Sequence, residues 1–237
     1  MVQTLKNHHI LITGATRGTG LSMARLFAAK GAKLSLISRN LDDLEALKES
    51  LGAQVRVYAA DVSDYAAIDK AIAYFKGKQG PVEILVNNAG IGQYKPFEDI
   101  REDELISTFR VTAEAVLMLT RKLLPDLKAA ANGQVLNIAS DLARRPLANM
   151  AVYTAAKHAM AGFSQSLTRE LAKDGVRVML LNPGIIDTGF GGRSAGDVPP
   201  PYGIAPDDLA EIAAFMLTRP GYLMMDEVTV HPMKQDF

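Results

Sequence analysis

The stretch TGATRGTG, residues 13–20, decides the fold. It lies between a short apolar run, His9 to Thr13 (HILIT), and a helical segment, Leu21 to Lys30 (LSMARLFAAK), that Gly31 stops. A buried strand, a tight glycine turn and a helix, in that order, make the first half of a βαβ unit. Gly14, Gly18 and Gly20 let the backbone turn sharply and approach a ligand closely. The helix that follows opens with unpaired N–H groups and the positive end of its dipole, a setting that suits a phosphate or pyrophosphate. A glycine pattern alone is a weak signal. Its position directly after a first strand is the context that nucleotide binding requires. The bland alternative is a glycine turn that only packs.

Outward from this turn, strands and helices alternate. Strand-like runs fall at 33–38 (KLSLIS), 54–59 (QVRVYA), from 83 to 86, 134–139 (QVLNIA), 176–181 (VRVMLL) and 227–230 (EVTV). Helical patterns fall at 41–51, 64–76, 102–128 with an interruption near Pro125, 152–172 and 206–217. Such alternation predicts a parallel sheet covered by helices on both faces, which explains strands that are apolar throughout. No linker divides the chain, so a single domain over 1–237 is expected. The irregular stretch after the sixth strand, GFGGRSAGDVPPPYG (189–203), is rich in glycine and proline. Ligands of open α/β sheets bind beyond the strands' carboxyl ends, so residues 189–205 are a candidate lid over a substrate.

Bulk composition narrows the function. Lys plus Arg and Asp plus Glu both number 26, which gives no global basic field for nucleic acid or an anionic membrane. There is no cysteine, which excludes disulfides, thiol catalysis and Cys-ligated metal. No run approaches the roughly 18 apolar residues of a membrane span. The N-terminal MVQTLKNHHILITG lacks a secretory leader's apolar region and cleavage site. A cytoplasmic protein is expected. His8 and His9 have no metal-ligand spacing to other histidines; surface placement and no metal are expected.

Further motifs stand in order along the chain: Asp61-Val62, NNAG at 87–90, Ser140, YTAAK at 153–157, and Asn182-Pro183-Gly184 followed by Ile186 and Thr188. Tyr153 and Lys157 alone, four apart on a helix, carry little weight. Together with the form T-G-x-x-x-G-x-G at 13–20, and with Ser140 thirteen residues before Tyr153, they resemble the short-chain dehydrogenase/reductase family over nearly the full length. The resemblance implies a Rossmann-type, doubly wound parallel sheet of about seven strands. It also implies a nicotinamide cofactor held by Gly14, Thr16, Arg17, Gly18, Thr19 and Gly20, with Asp61 at the adenine amino group and Val62 beside it. Asn88, Ala89 and Gly90 resemble the turn along the cofactor ribose. Pro183, Gly184, Ile186 and Thr188 resemble the turn that reaches the nicotinamide carboxamide or diphosphate. A homodimer or homotetramer packed through the long helices around 105–125 and 153–172 is implied as well.

NAD-binding proteins usually carry an acid after the second strand for the ribose 2′-hydroxyl. Here the stretch is LISRN, with Ser38 and Arg39 at that place. Arg17 and Arg39 would pair with a 2′-phosphate and do little for a neutral hydroxyl. NADP(H) is therefore preferred over NAD(H). Asp42 and Asp43 come later and begin the next helix.

By resemblance, Ser140, Tyr153 and Lys157 are the catalytic residues. Carbonyl reduction needs a hydride, which the cofactor supplies, and a proton, which the protein must supply. Tyr153 is the expected general acid in reduction and base in oxidation. Lys157 lowers its pKa from one helical turn away and holds the cofactor ribose. Ser140 polarises the carbonyl. The function implied is an NADP(H)-dependent carbonyl reductase acting on a small ketone or aldehyde and its alcohol. Alternatives are a non-catalytic NADP(H)-binding redox sensor, and an isomerase or dehydratase of the same fold.

One departure stands out. Thr112 occupies a position where many family members have an Asn thought to support a water-linked proton relay. The Thr hydroxyl either holds that water or the relay runs elsewhere. Tyr94, Met150, Phe190 and Tyr202 are candidates to line an apolar substrate pocket. The tail EVTVHPMKQDF is similar to that of smaller carbonyl and hydroxy-acid reductases.

Overall fold

The structure is a computed structural model and describes residues 4–235. The first three residues of the N-terminal stretch and the last two of the tail lie outside the described residues. Seven strands form one parallel sheet: β1 (His9–Thr13), β2 (Lys33–Ser38), β3 (Val55–Ala59), β4 (Ile84–Asn87), β5 (Gln134–Ile138), β6 (Arg177–Pro183) and β7 (Glu227–Val230). Their spatial order is β3-β2-β1-β4-β5-β6-β7. The chain winds one way from β1 to β3 and the other way from β4 onward. The reversal between β1 and β4 leaves a crevice at the strands' carboxyl ends.

Seven helices cover the sheet: α1 (Gly18–Ala29), α2 (Leu41–Leu51), α3 (Tyr65–Gln79), α4 (Glu102–Phe109), α5 (Ala115–Ala129), α6 (Ala151–Leu171) and α7 (Pro206–Leu217). Strand side chains alternate between two cores. Ile10, Ile12, Leu34, Leu36, Ile84 and Val86 face Met23 and Phe27 of α1 and Leu209 and Ala213 of α7. Leu11, Ile37, Leu85 and Val135 face Ile68 and Phe75 of α3 and Leu119 and Leu123 of α5. Two cores on opposite faces of one sheet is the Rossmann-like architecture.

Local chemistry explains the helix ends. Asn40 caps α2 by accepting from the N–H groups of Asp42 and Asp43, which supply the acidic first turn. Asp64 caps α3 in the same way through Ala66 and Ala67. The expected interruption near Pro125 is misplaced. Pro125 sits inside α5, on its exposed side. The irregularity lies earlier, in a π-helical turn at Arg110–Glu114 that contains Thr112.

His9 is also not at the surface. It is buried in β1, with Nε2 2.7 Å from Ser35 Oγ and Nδ1 3.0 Å from the carbonyls of Gly80 and Pro81. Burial lowers its pKa, as expected of a neutral core histidine. His8 pairs with Glu83 at 2.7 Å. Among the described residues no cluster of three or more His, Cys, Asp or Glu could hold a metal, and no helix is long and apolar enough to cross a membrane.

Candidate active site

A cleft of about 660 Å³ opens along the carboxyl ends of β1 to β6. One wall is built from the turn after β1 (Gly14, Thr16, Arg17, Gly18 and Thr19), Ser38 and Arg39 after β2, and Asp61 and Val62 after β3. Asn88, Ala89 and Gly90 follow β4 along the floor. Ser140, Tyr153 and Lys157 line the far end together with Pro183, Gly184, Ile186 and Thr188. The catalytic and cofactor candidates thus share one cleft, except Gly20.

Gly20 serves the turn from behind. A Cβ there would run into the Gly14 carbonyl oxygen, so α1 packs on the turn only through glycine. Gly14 has a φ of +67°, which side chains rarely adopt. Below it, Thr13 Oγ1 accepts from the backbone N–H groups of Asn88 (3.1 Å) and Ala89 (3.0 Å). Asn88 Nδ2 donates back to the carbonyls of Thr13 (3.0 Å) and Gly14 (3.1 Å). These four bonds tie the turn after β1 to the turn after β4. Thr13 was not a sequence candidate; its place at the last position of the first strand was the available signal.

The cleft suits a dinucleotide on its own chemistry. No side chain caps the start of α1, so its first N–H groups are left to a ligand. Arg17 and Arg39 are exposed at the cleft wall. Ser38 Oγ and Thr16 Oγ1 hydrogen-bond each other at 2.9 Å. Asp61 Oδ1 accepts from Ser63 N–H (2.8 Å) and Ser63 Oγ (2.6 Å), which fixes its carboxylate at the rim.

At the other end, α6 carries Tyr153 and Lys157 on one buried face. Lys157 Nζ donates to the Ile138 carbonyl at 2.7 Å and lies 5.4 Å from the Tyr153 ring centre. A buried ladder holds α6 at this height: Asn87 Nδ2 donates to Asn137 Oδ1 (2.8 Å), and Asn137 Nδ2 to Ser164 Oγ (2.8 Å). Burial pushes the Lys157 ammonium down to about 7. Tyr153 departs from expectation: its pKa is raised, chiefly by burial. The Ser140 hydroxyl offsets this in part, and the Asp141 charge adds to the rise. Desolvation outweighs the expected help from Lys157, whose own charge is destabilised by the same burial.

Thr112 does not offer a hydrogen to a relay. Its Oγ1 donates to the Ile91 carbonyl (2.9 Å) and accepts from the Ile91 N–H (3.0 Å), so the π-helical turn is stapled to the loop after β4.

The far end is walled by Tyr94, Leu142, Leu147, Met150 and Phe190, with Arg145 and Arg193 also present. Phe190, in the candidate lid, packs on Tyr153. Asp187 Oδ1 holds the lid segment by accepting from Gly196 N–H (2.7 Å) and Val198 N–H (3.3 Å). Tyr202 is not at the cleft; it is half exposed, under Lys234 Nζ at 5.3 Å. Besides Thr13, three more residues escaped the sequence reading. Gly92 backs the Tyr153 ring, and a Cβ there would lie 2.6 Å from Tyr153 Cδ2. Asp141 stands beside Ser140, and Gln235 reaches in from beyond β7. Gly92 follows the NNAG motif closely and was findable; nothing in the sequence singled out Gln235.

A family model described as short chain dehydrogenase matches residues 8–197. A Staphylococcus aureus (strain MW2) protein described as an uncharacterized oxidoreductase is 30% identical over 224 residues, which span 94% of this chain and 96% of that one. An alcohol dehydrogenase from the archaeon Thermococcus sibiricus, complexed with 5-hydroxy-NADP, is similar with a TM-score of 0.91 and 29% identity. That match covers 97% of this chain and 98% of the other. A 3-ketoacyl-(acyl-carrier-protein) reductase from Brucella melitensis, complexed with NADH, has a TM-score of 0.90 and 34% identity, covering 98% of this chain and 100% of the other.

Proposed function

We propose that this chain, which belongs to the short-chain dehydrogenase family, is an NADP(H)-dependent oxidoreductase that interconverts a small ketone or aldehyde and its alcohol. The observation that carries this reading is the convergence of Ser140, Tyr153 and Lys157 at one end of a cleft whose other end is the glycine turn.

When bound, the nicotinamide supplies or accepts the hydride. Tyr153 gives its phenolic proton to the substrate oxygen in reduction and takes it back in oxidation. Ser140 hydrogen-bonds the same oxygen. Lys157, anchored on Ile138, holds the ribose side of the cleft. Arg17 and Arg39 support the preference for a 2′-phosphate. The known structures of similar proteins include complexes with both NADP and NADH analogues or forms, so the arginines, not the likeness, carry this preference.

The proposal extends to residues 189–205 as a lid and to a homodimer or homotetramer in the cytoplasm. Leu105, Ile106, Phe109 and Leu117 are exposed on α4 and α5, where a second copy would cover them.

NADPH oxidation with a panel of ketones and aldehydes tests the reading, with Tyr153→Phe as control. Turnover abolished by the control supports it. The committed hydroxyl of Thr112 favours one rival, a cofactor-binding sensor. Tight NADPH binding with no turnover above the Tyr153→Phe level would establish that rival.

A further inference from the structure

Asp141 is buried beside Ser140 at the floor of the substrate end, and the catalytic roles above do not use it. A chain of hydrogen bonds passes through its carboxylate, and a backbone donor fixes its direction at the Gln235 end. The backbone N–H of Ile185 can only donate, and it donates to Gln235 Oε1 at 2.8 Å. Gln235 must therefore turn its Nε2 toward Asp141, where it donates to Oδ2 at 2.7 Å. His231 Nε2 lies 3.4 Å from the same oxygen. At the other end, the backbone N–H of Leu142 donates to Ser140 Oγ at 3.2 Å. Ser140 Oγ then donates to Asp141 Oδ1 at 3.2 Å.

The Ser140 hydroxyl has a single hydrogen. Tyr153 and Asp141 both lie within its reach; with Tyr153 a neutral phenol, the Asp141 carboxylate takes it, because a charged acceptor outcompetes a neutral phenol or carbonyl oxygen. We propose that Asp141 is a positioning residue: by taking the Ser140 hydrogen, it leaves Ser140 facing the cleft as an acceptor, so the resting site favours the alcohol over the carbonyl. A carbonyl oxygen can only accept, and must win the hydrogen from Asp141. An alcohol can donate its own hydrogen to the Ser140 lone pair in the resting complex, and turns it to Tyr153 for the oxidation step. The proposal rests on the oxidoreductase reading, and it gives that site a bias that the serine, tyrosine and lysine alone do not have.

Two measurements test it. The first is neutron diffraction of the deuterium-exchanged protein, which needs no turnover. A deuteron on Ser140 Oγ aimed at Asp141 Oδ1 supports the proposal. A deuteron aimed at Tyr153, or one carried by Oδ1 itself, overturns it. The second uses cyclohexanone with NADPH and cyclohexanol with NADP in the wild type, Asp141→Ala and Asp141→Asn. The solution equilibrium fixes the ratio of kcat/KM in the two directions, so the bias appears in KM and is offset in kcat. Asp141→Ala is expected to lower the ratio of ketone KM to alcohol KM about tenfold, the scale of one charge-assisted hydrogen bond. In Asp141→Asn the one amide oxygen is claimed by Gln235 Nε2, which turns the amide nitrogen toward Ser140, so the ratio should fall in the same direction as in Asp141→Ala. A ratio unchanged in Asp141→Ala, with both KM values moving in parallel, overturns the proposal. Absence of turnover in the wild type counts against the oxidoreductase reading, and the deuteron position still decides the role of Asp141.

Discussion

The Phe190 ring lies against the Tyr153 ring, with centroids 5.1 Å apart and planes inclined at 53°. One wall of the proposed acid's surroundings therefore comes from the segment after β6, and its other wall from Gly92. Replacing Phe190 with Ala removes the aromatic contact and admits water. We expect kcat/KM for a carbonyl substrate to fall about tenfold, in line with a contact of roughly 1 kcal/mol plus lost exclusion of solvent. NADPH affinity, read by fluorescence titration, should change by less than about threefold. Equal losses in both would show that Phe190 holds the cofactor and not the tyrosine.

Lys157 gives a pH dependence with a definite sign. Its folded pKa of about 7 lies below its ordinary value of 10.5. Between these values the unfolded chain binds a proton that the folded protein lacks, so this group makes stability rise with pH across that window. Below about 7 the penalty is fully present. Lys157→Met removes it. In urea denaturation, the stability of wild type relative to the variant should increase from pH 7 toward pH 10 by up to about 1.4 kcal/mol per pH unit. Parallel profiles would mean that Lys157 stays charged in the folded protein.

The cofactor preference has its own test. Arg39→Asp exchanges a phosphate-pairing cation for an acid that suits a ribose hydroxyl. The Kd for NADPH should rise about 10- to 100-fold, the range for charge-assisted bonds, while the Kd for NADH falls or holds. A variant that still prefers NADPH would shift the selection to Arg17 or elsewhere.

Gly20→Ala probes the turn without adding charge. Its methyl group must displace the Gly14 carbonyl. We expect a loss of about 1–3 kcal/mol in stability, the usual cost of overpacking, together with weakened NADPH binding. Gly80→Ala is a useful comparison, because its Cβ would meet nothing within 4 Å and its effect should come from its positive φ of 85° alone.

The succession of strands and helices and the residues that line the cleft wall were legible because they rest on local patterns: apolar strands and glycine at fixed offsets. The candidate catalytic three were legible only through the family resemblance, because one helical turn between Tyr153 and Lys157 carries little weight alone. What stayed hidden was set by burial and by distant contacts. His9 looked like a surface residue because no local signal announces Ser35 and Pro81 as its partners. The direction of the Tyr153 shift was misjudged because sequence shows the nearby cation but not the loss of water. Thr112 could be seen as a departure, yet its bonds to Ile91 depend on a π-helical turn that no periodicity marks. Gln235 lies 94 residues from the Asp141 carboxylate that it holds.

The four bonds among Thr13, Gly14, Asn88 and Ala89 have a thermodynamic corollary. That part of the cleft is rigid before a ligand arrives, so little conformational entropy remains to be lost there on association. The stretch beyond Thr188 depends largely on Asp187 and on turns of its own, and the ordering cost of complex formation falls on it. Calorimetry should then divide the ligand into two halves: an adenine portion that binds with a small entropic penalty, and a nicotinamide portion whose favourable heat is largely cancelled.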